Sequence, residues 1–276
     1  MRLCRGVGKK NDPPLGGNKM KKIIAAVLLI CLLFTGCLSV YQVKAMAARA
    51  AEEEAANAYV PPAPTIRTVD FDALYRSHDP EEIVCTVNDE PVSWEEYFYF
   101  YSSYALQIEN TMAAYSQVGL TMSWEDPFEE ETGRTWSDVP PEYARRDMME
   151  YRNILLYAKD NNLEMTPELD QELSHQIMDA AESALGENAT EEDFAAYLKQ
   201  GYLPFDLYKR MLTASLMYRT LFSNLYGDPA ELEQSGNLES SQADLSARLE
   251  KNLEKISLIF SENFREPRIT DYLMEN

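Results

Sequence analysis

The stretch that most constrains this chain is residues 83–109, IVCTVNDEPVSWEEYFYFYSSYALQIE. Ile83-Val84-Cys85-Thr86-Val87 is apolar and β-branched, which predicts a strand. Asn88-Asp89-Glu90-Pro91 is turn chemistry, because Asn and Asp tolerate left-handed backbone angles and proline fixes its own φ. Val92 leads to Ser93, with Glu96 three residues on. This S-x-x-E spacing predicts a capping box at a helix start. The helix that follows carries Trp94, Tyr97, Phe98, Tyr99, Phe100, Tyr101 and Tyr104. A β-turn-β that runs straight into a capped aromatic helix forms a compact nucleus for the rest of the chain.

Downstream, periodicity predicts a helical body. Met112, Tyr115 and Val118 keep helical spacing until Gly119, a C-cap residue. Residues 120–141 read as an acidic loop pinned by Trp124 and Trp136. Glu142 to Asn161 is the next helix, with Tyr143, Met148 or Met149, Ile154 or Leu155, and Ala158 at three-to-four spacing. Thr166-Pro167 starts another, with Leu169, Leu173, Ile177 and Ala180 or Ala181 as its stripe and Gly186 closing it. Thr190 to Asp193 caps a short helix that turns Phe194, Tyr197 and Leu198 inward. A longer helix runs from Leu203-Pro204-Phe205 to Gly227. Residues 228–242 read as a linker, 243–264 as a final amphipathic helix (Leu245, Leu249, Leu253, Ile256, Phe260, Phe264), and 265–276 as a fraying tail.

Composition removes several chemistries. A formal charge of −21 argues against nucleic acid, whose phosphates need a basic surface. Of four cysteines only Cys85 lies in the body, so no intramolecular disulfide is expected there, and it reads as a small buried apolar residue. His78 and His175 are the only histidines, which excludes most histidine-based catalysis and zinc binding. No glycine-rich phosphate loop and no G-x-S-x-G occurs. Glu129-Glu130-Glu131 and Glu191-Glu192-Asp193 could hold calcium, but a carboxylate-rich helix start is the commoner use of such runs, so no metal and no cofactor is expected.

The N-terminus reads as targeting. Residues 1–19 look like neither a domain nor a signal, and Met20 is the expected start of translation. N-terminal sequencing of a precursor that begins at Met1 would remove that expectation. From Met20 to Cys37 a charged Lys21-Lys22 pair precedes an apolar run. Phe34-Thr35-Gly36-Cys37 is similar to a bacterial lipobox, making Cys37 a lipidation site. The apolar run Ile23 to Tyr41 is equally read as a marginal membrane span. Both place the body outside the cytoplasmic membrane, with the lysines inside. An Ala/Glu-rich stalk and the Pro-rich segment Val60 to Pro64 fill residues 38–67, and the domain is expected to begin near residue 68.

Three segments resemble one family. Val84 to Tyr97 (VCTVNDEPVSWEEY) resembles the entry of SurA/PrsA-type extracytoplasmic chaperones. Leu163 to Asp170 (LEMTPELD) and Phe194 to Arg210 (FAAYLKQGYLPFDLYKR) are similar to the helical segments that follow it there. They occur in the family's order over roughly residues 82–226. Asp89 stands where the family turn usually has Gly, and only 49 residues follow Gly227, without a histidine, so the parvulin prolyl isomerase domain of that family is not expected. The resemblance implies a mainly α fold: a multi-helix SurA N-terminal-like domain over residues 68–227, with a short β-hairpin at its start and a signal or anchor helix before it. The stretch Leu245 to Phe264 is then a helix returning to complete that domain.

The function expected is that of a membrane-tethered chaperone that binds unfolded, newly exported polypeptides and has no isomerase chemistry. Its client-binding side chains would come from Trp94, Tyr97, Phe98, Tyr101 and Tyr104. One stripe of this helix must be core, and a client groove needs the neighbouring face, Tyr97 and Tyr104 above all, to be open. Two alternatives stand beside it: a non-catalytic surface lipoprotein with one dedicated protein partner, and a prolyl isomerase by family association.

Overall fold

The computed structural model describes residues 67–274. The 1–19 extension, the signal or anchor segment with Cys37, the stalk and the Pro-rich linker all lie outside the described residues. No helix among the described residues is long and apolar enough to cross a membrane.

The nucleus forms around two left-handed residues. Asn88 (φ 47°) and Asp89 (φ 66°) make a two-residue connection between β2 (Ile83–Val87) and β3 (Glu90–Ser93). Positive φ at both central positions matches the twist of an antiparallel hairpin, and Asn and Asp adopt it more readily than other side chains with a Cβ. Asp89 therefore takes a left-handed conformation that glycine would adopt without a Cβ. The pairs run Val87–Glu90, Thr86–Pro91 and Cys85–Val92, with a register shift before Ile83–Ser93.

The hairpin leads directly into α2 (Trp94–Gln117). (The helix before it, α1, is Phe71–Tyr75, which follows β1, Thr68–Val69.) Only half of the expected capping box forms. Ser93 Oγ accepts from the Glu96 N–H at 3.4 Å, but the Glu96 carboxylate turns inward to two guanidinium groups. Opposite charge inside the body outcompetes a backbone N–H at its surface.

A small hairpin, β4 (Pro127–Glu129) with β5 (Arg134–Thr135), organises the acidic loop. Trp124 and Trp136 are buried beneath it, and Phe128 meets Trp136 edge-on at 4.7 Å. A short 3-10 turn, Trp136–Asp138, enters α3 (Val139–Asp160). This helix starts three residues earlier than predicted, because Pro140 and Pro141 fit a first turn whose N–H groups have no helical partner. Its buried side is Ala144, Asp147, Met148, Tyr151, Arg152 and Ala158; Ile154 and Leu155 are only half-buried.

Next come α4 (Pro167–Leu185), α5 (Glu191–Lys199) and α6 (Phe205–Tyr226). Thr166 caps α4 and Gly186 (φ 96°) ends it. Leu173, Ile177 and Ala181 pack with Phe194 and Leu216, following the predicted stripe. Tyr197 does not face inward as expected but is 44% exposed. A nine-residue helix reaches this cluster through one aromatic, Phe194, and Tyr197 stacks on that ring from outside.

The C-terminal region departs most from expectation. Residues 228–242 are not a linker: α7 (Pro229–Ser235) and the start of α8 (Leu238–Leu253) occupy them. The last helix ends at Leu253, so Ile256, Phe260 and Phe264 are not helical. Instead β6 (Leu258–Phe260) adds to the hairpin, giving a sheet ordered β3-β2-β6. The expected fraying tail is ordered up to Met274. Ile269 is fully buried in a 3-10 turn, Ile269–Tyr272, and β7 (Leu273–Met274) pairs antiparallel with β1. Backbone pairing at β2 and β1, distant in sequence, overrides the helical spacing of these residues.

Helix α8 docks on α3 through two buried asparagines. Asn153 Nδ2 donates to Leu249 O at 2.8 Å, and Asn252 Nδ2 donates to Asn153 Oδ1 at 2.8 Å.

Candidate functional site

The aromatic face of α2 meets the segment after α8, and aromatic rings cluster at this contact. Phe264 lies 5.8 Å from Tyr97 and 6.1 Å from Trp94, and it stacks on Phe260 at 5.6 Å. Phe260 also meets Tyr97 edge-on at 6.1 Å. His78 sits against both Trp94 (4.8 Å) and Phe264 (5.1 Å), with Nδ1 2.9 Å from Glu82 and Nε2 3.2 Å from the Arg265 carbonyl. Trp94 Nε1 donates to Tyr75 O at 2.7 Å.

Polar groups fix the same segment along its length. The Tyr97 hydroxyl donates to Glu266, and Arg145 of α3 pairs with the same carboxylate. The Arg145 guanidinium also lies over the Phe260 ring at 5.5 Å. The Tyr101 hydroxyl donates to Pro267 O at 3.2 Å. Burial first, and the Glu266 charge second, push both phenols above their ordinary range, so they stay protonated and act as donors. Backbone bonds complete the seat. Asn88 N–H donates to Ser257 O (3.0 Å), Ser257 N–H donates to Asn88 Oδ1 (2.8 Å), and Ser261 N–H donates to Val84 O (2.9 Å).

The five predicted client-binding side chains divide into three settings, all interior. Trp94, Tyr97 and Tyr101 lie under the C-terminal segment. Phe98 packs between Tyr75 (5.0 Å) and Tyr202 (5.0 Å). Tyr104 meets Tyr143 (5.0 Å) and donates to Asp147 Oδ2 at 2.6 Å. None is more than 8% exposed. The open neighbouring face that a groove at Tyr97 and Tyr104 requires is therefore absent in this conformation: α3 covers one side of the helix, α1 and Tyr202 another, and the chain's own C-terminus the third.

Two buried carboxylates flank the aromatics. Glu96 accepts from Tyr151 OH and Arg210 Nη2, each at 2.6 Å, and Arg152 Nη1 lies 2.6 Å away as an ion contact. Asp147 is pushed up to about 7 by burial, against the opposing effect of the Tyr104 hydrogen bond. Each carboxylate accepts from a buried phenol that burial keeps protonated. The Cys85 thiol is fully buried and pushed up to about 12 by burial, which suppresses the thiolate. Among the described residues no group of three or more His, Cys, Asp or Glu side chains is placed to hold a metal ion. Glu129 binds Arg134 and Thr132, and Asp193 closes a capping box on Thr190.

Sequence reasoning missed Phe260, Phe264, Glu266, Arg145 and His78 as members of this assembly. The available signal was Leu258-Ile259-Phe260, a three-residue apolar run bounded by Ser257 and Ser261. It is too short to outweigh a helical stripe that continues through Ile256. Comparison with protein-family models, curated proteins and solved structures finds no match to this chain.

Proposed function

We propose that this protein is an extracytoplasmic chaperone, tethered to the outer face of the membrane through Cys37 or its N-terminal apolar segment, which binds unfolded exported polypeptides without catalysing a reaction. The observation that carries this reading is how residues 257–274 are held: the stretch pairs as a strand at each end and turns between them, laid along a sheet edge and across an aromatic helix face. Backbone pairing to a strand edge accepts many sequences, while apolar pockets add selectivity. A surface that seats one chain segment this way is suited to seating others. The three segments that resemble SurA/PrsA-type chaperones fall on the β2–β3 hairpin with α2, on the capped start of α4, and on the α5–α6 pair.

The test uses the full-length chain in mild detergent with a chemically unfolded test protein diluted into native buffer. Reduced light scattering at equimolar chain is the expected result. Unchanged scattering removes the chaperone role. Co-purification of one stoichiometric partner from the native membrane, in place of mixed clients, replaces it with a dedicated interaction role. Serine substitutions at Tyr97 and Tyr104 do not serve here, since both side chains are core.

A further inference from the structure

We infer that the groove formed by the side of β2 opposite β3, the Trp94–Tyr97–Tyr101 face of α2 and Arg145 is a peptide-binding site, and that residues 257–274 are its resident occupant in cis. Its ligands in trans are segments that pair as a strand and then turn, so that two aromatic side chains four residues apart stack on each other, with an acidic residue two positions further on. This inference rests on the chaperone reading and names its ligand class.

The occupant defines that chemistry. Strand β6 supplies the backbone, pairing Cys85–Phe260, Thr86–Ile259 and Val87–Leu258 antiparallel to β2. Phe260 and Phe264 place their rings on Tyr97 and, for Phe264, on Trp94. Glu266 then meets Arg145 and the Tyr97 hydroxyl, which remains a donor because burial keeps it protonated. Backbone pairing, an aromatic pair and one carboxylate make up the recognition set.

Burial is unequal across the contact, as between a host and a guest. The host side chains Val84, Cys85, Val87, Trp94, Tyr97 and Tyr101 are all fully buried or nearly so. In residues 257–274 only Phe264 and Ile269 are buried, and Ile259 is 60% exposed. Besides their link through Glu266, α2 and α3 of the host meet directly, through Tyr104 and Asp147, Glu96 and Tyr151, and Phe100 and Tyr151. Covalent connection then favours the resident segment: a tethered ligand acts at an effective concentration of about millimolar. A client must outcompete that, and the exposed Glu254–Lys255 turn is where the tether can be cut.

The experiment places a specific protease site between Lys255 and Ile256 of the full-length chain, in detergent, and cleaves it after folding. Fluorescein-labelled peptide of residues 256–276 is then titrated, with binding read by anisotropy and helix content by far-UV circular dichroism. The expected result is retained helix content and peptide binding at concentrations at least ten times lower for the cleaved chain than for the intact one. The peptide carrying Phe260→Ser and Phe264→Ser should bind at least tenfold more weakly, and the Glu266→Lys peptide more weakly than the parent. Failure of the cleaved chain to exchange its segment overturns the inference. So does loss of helix content on release, equal binding to intact and cleaved chains, or undiminished binding of the double-serine peptide. Exchange with no suppression of aggregation by either form keeps the groove and removes the chaperone role. Suppression without exchange keeps that role and places it elsewhere on the molecule.

Discussion

The two ends of the helical body are held together by different kinds of contact. At the hairpin end, β2, β3, α2 and α3 close around aromatic rings and buried polar groups, with residues 257–274 bound over them. Partners there are far apart in the chain: Glu96 with Arg210, Tyr97 with Glu266, Val87 with Leu258. At the far end, α4 and α5 pack on α6 through an apolar cluster of aliphatic side chains and Phe194, joined by short connections. The first arrangement specifies geometry through charges and hydroxyls that must all be satisfied, whereas the second needs only apolar side chains of about the right size on one face. One consequence is that the hairpin end beneath residues 257–274 should be rigid and intolerant of polar deletion, and of the helices those of the far end should tolerate change and open first.

The largest expected effect is at Glu96. Glu96→Ala leaves Arg152, itself buried, without its closest carboxylate, and breaking a buried pair costs about 3–5 kcal/mol. Denaturant titration measures it; a loss under about 1 kcal/mol would mean that the cluster does not hold α2, α3 and α6 together. At the far end, Leu173→Ala should cost about 2–4 kcal/mol from lost burial and a cavity. Here the sharper reading is where the loss falls. Hydrogen exchange should quicken in α4 and α5 before β2, and simultaneous quickening in both would show one cooperative unit instead of two kinds of end.

Asp147 supplies a pH signature found only at the hairpin end. Its carboxyl sits near 7 in the folded chain and near 4 when unfolded, so the folded state keeps the proton through that window. Folding stability therefore falls as pH rises from about 4 to about 7, and above that window the ionised carboxylate is a standing cost. Asp147→Asn retains an acceptor for the Tyr104 hydroxyl and removes the slope. At about pH 8 the variant should be the more stable by roughly 2 kcal/mol, with no advantage near pH 4. Parallel stability curves for the two chains across the window would contradict the assignment. The smallest effect is expected from Thr166→Ala, which removes the acceptor for the Leu169 N–H and should cost about 1 kcal/mol. Thermal melts resolve it, and the loss should leave the Asp147 slope untouched.

The chain's readable parts were those where the deciding physics is local. The hairpin, the Ser93 and Thr166 caps, the helix stops at Gly119, Gly186 and Gly227, and the α4 stripe all follow from a few neighbouring residues. Each obeys a steric or hydrogen-bonding rule that acts within one turn of chain. The aromatics of α2 were legible as a cluster, but their partition into buried and open faces was not. It depends on Tyr75, Tyr202, Tyr143 and Phe264, none of which lies within one turn of them.

By itself, then, the sequence determined a mainly helical body, its nucleus, its caps and the scarcity of histidine and cysteine. Tertiary structure alone decided that Glu96 would turn from its cap to Arg152 and Arg210, and that Phe260 and Phe264 would leave helical register to meet β2 and α2. It also decided that residues 265–274 would cover the aromatic face instead of fraying. The reason is the same in each case. Local propensity differences amount to a few tenths of a kcal/mol per residue. A strand edge that needs pairing, a buried charge that needs a partner and an apolar face that needs a cover are each worth more, and their partners are known only once the chain has folded back on itself.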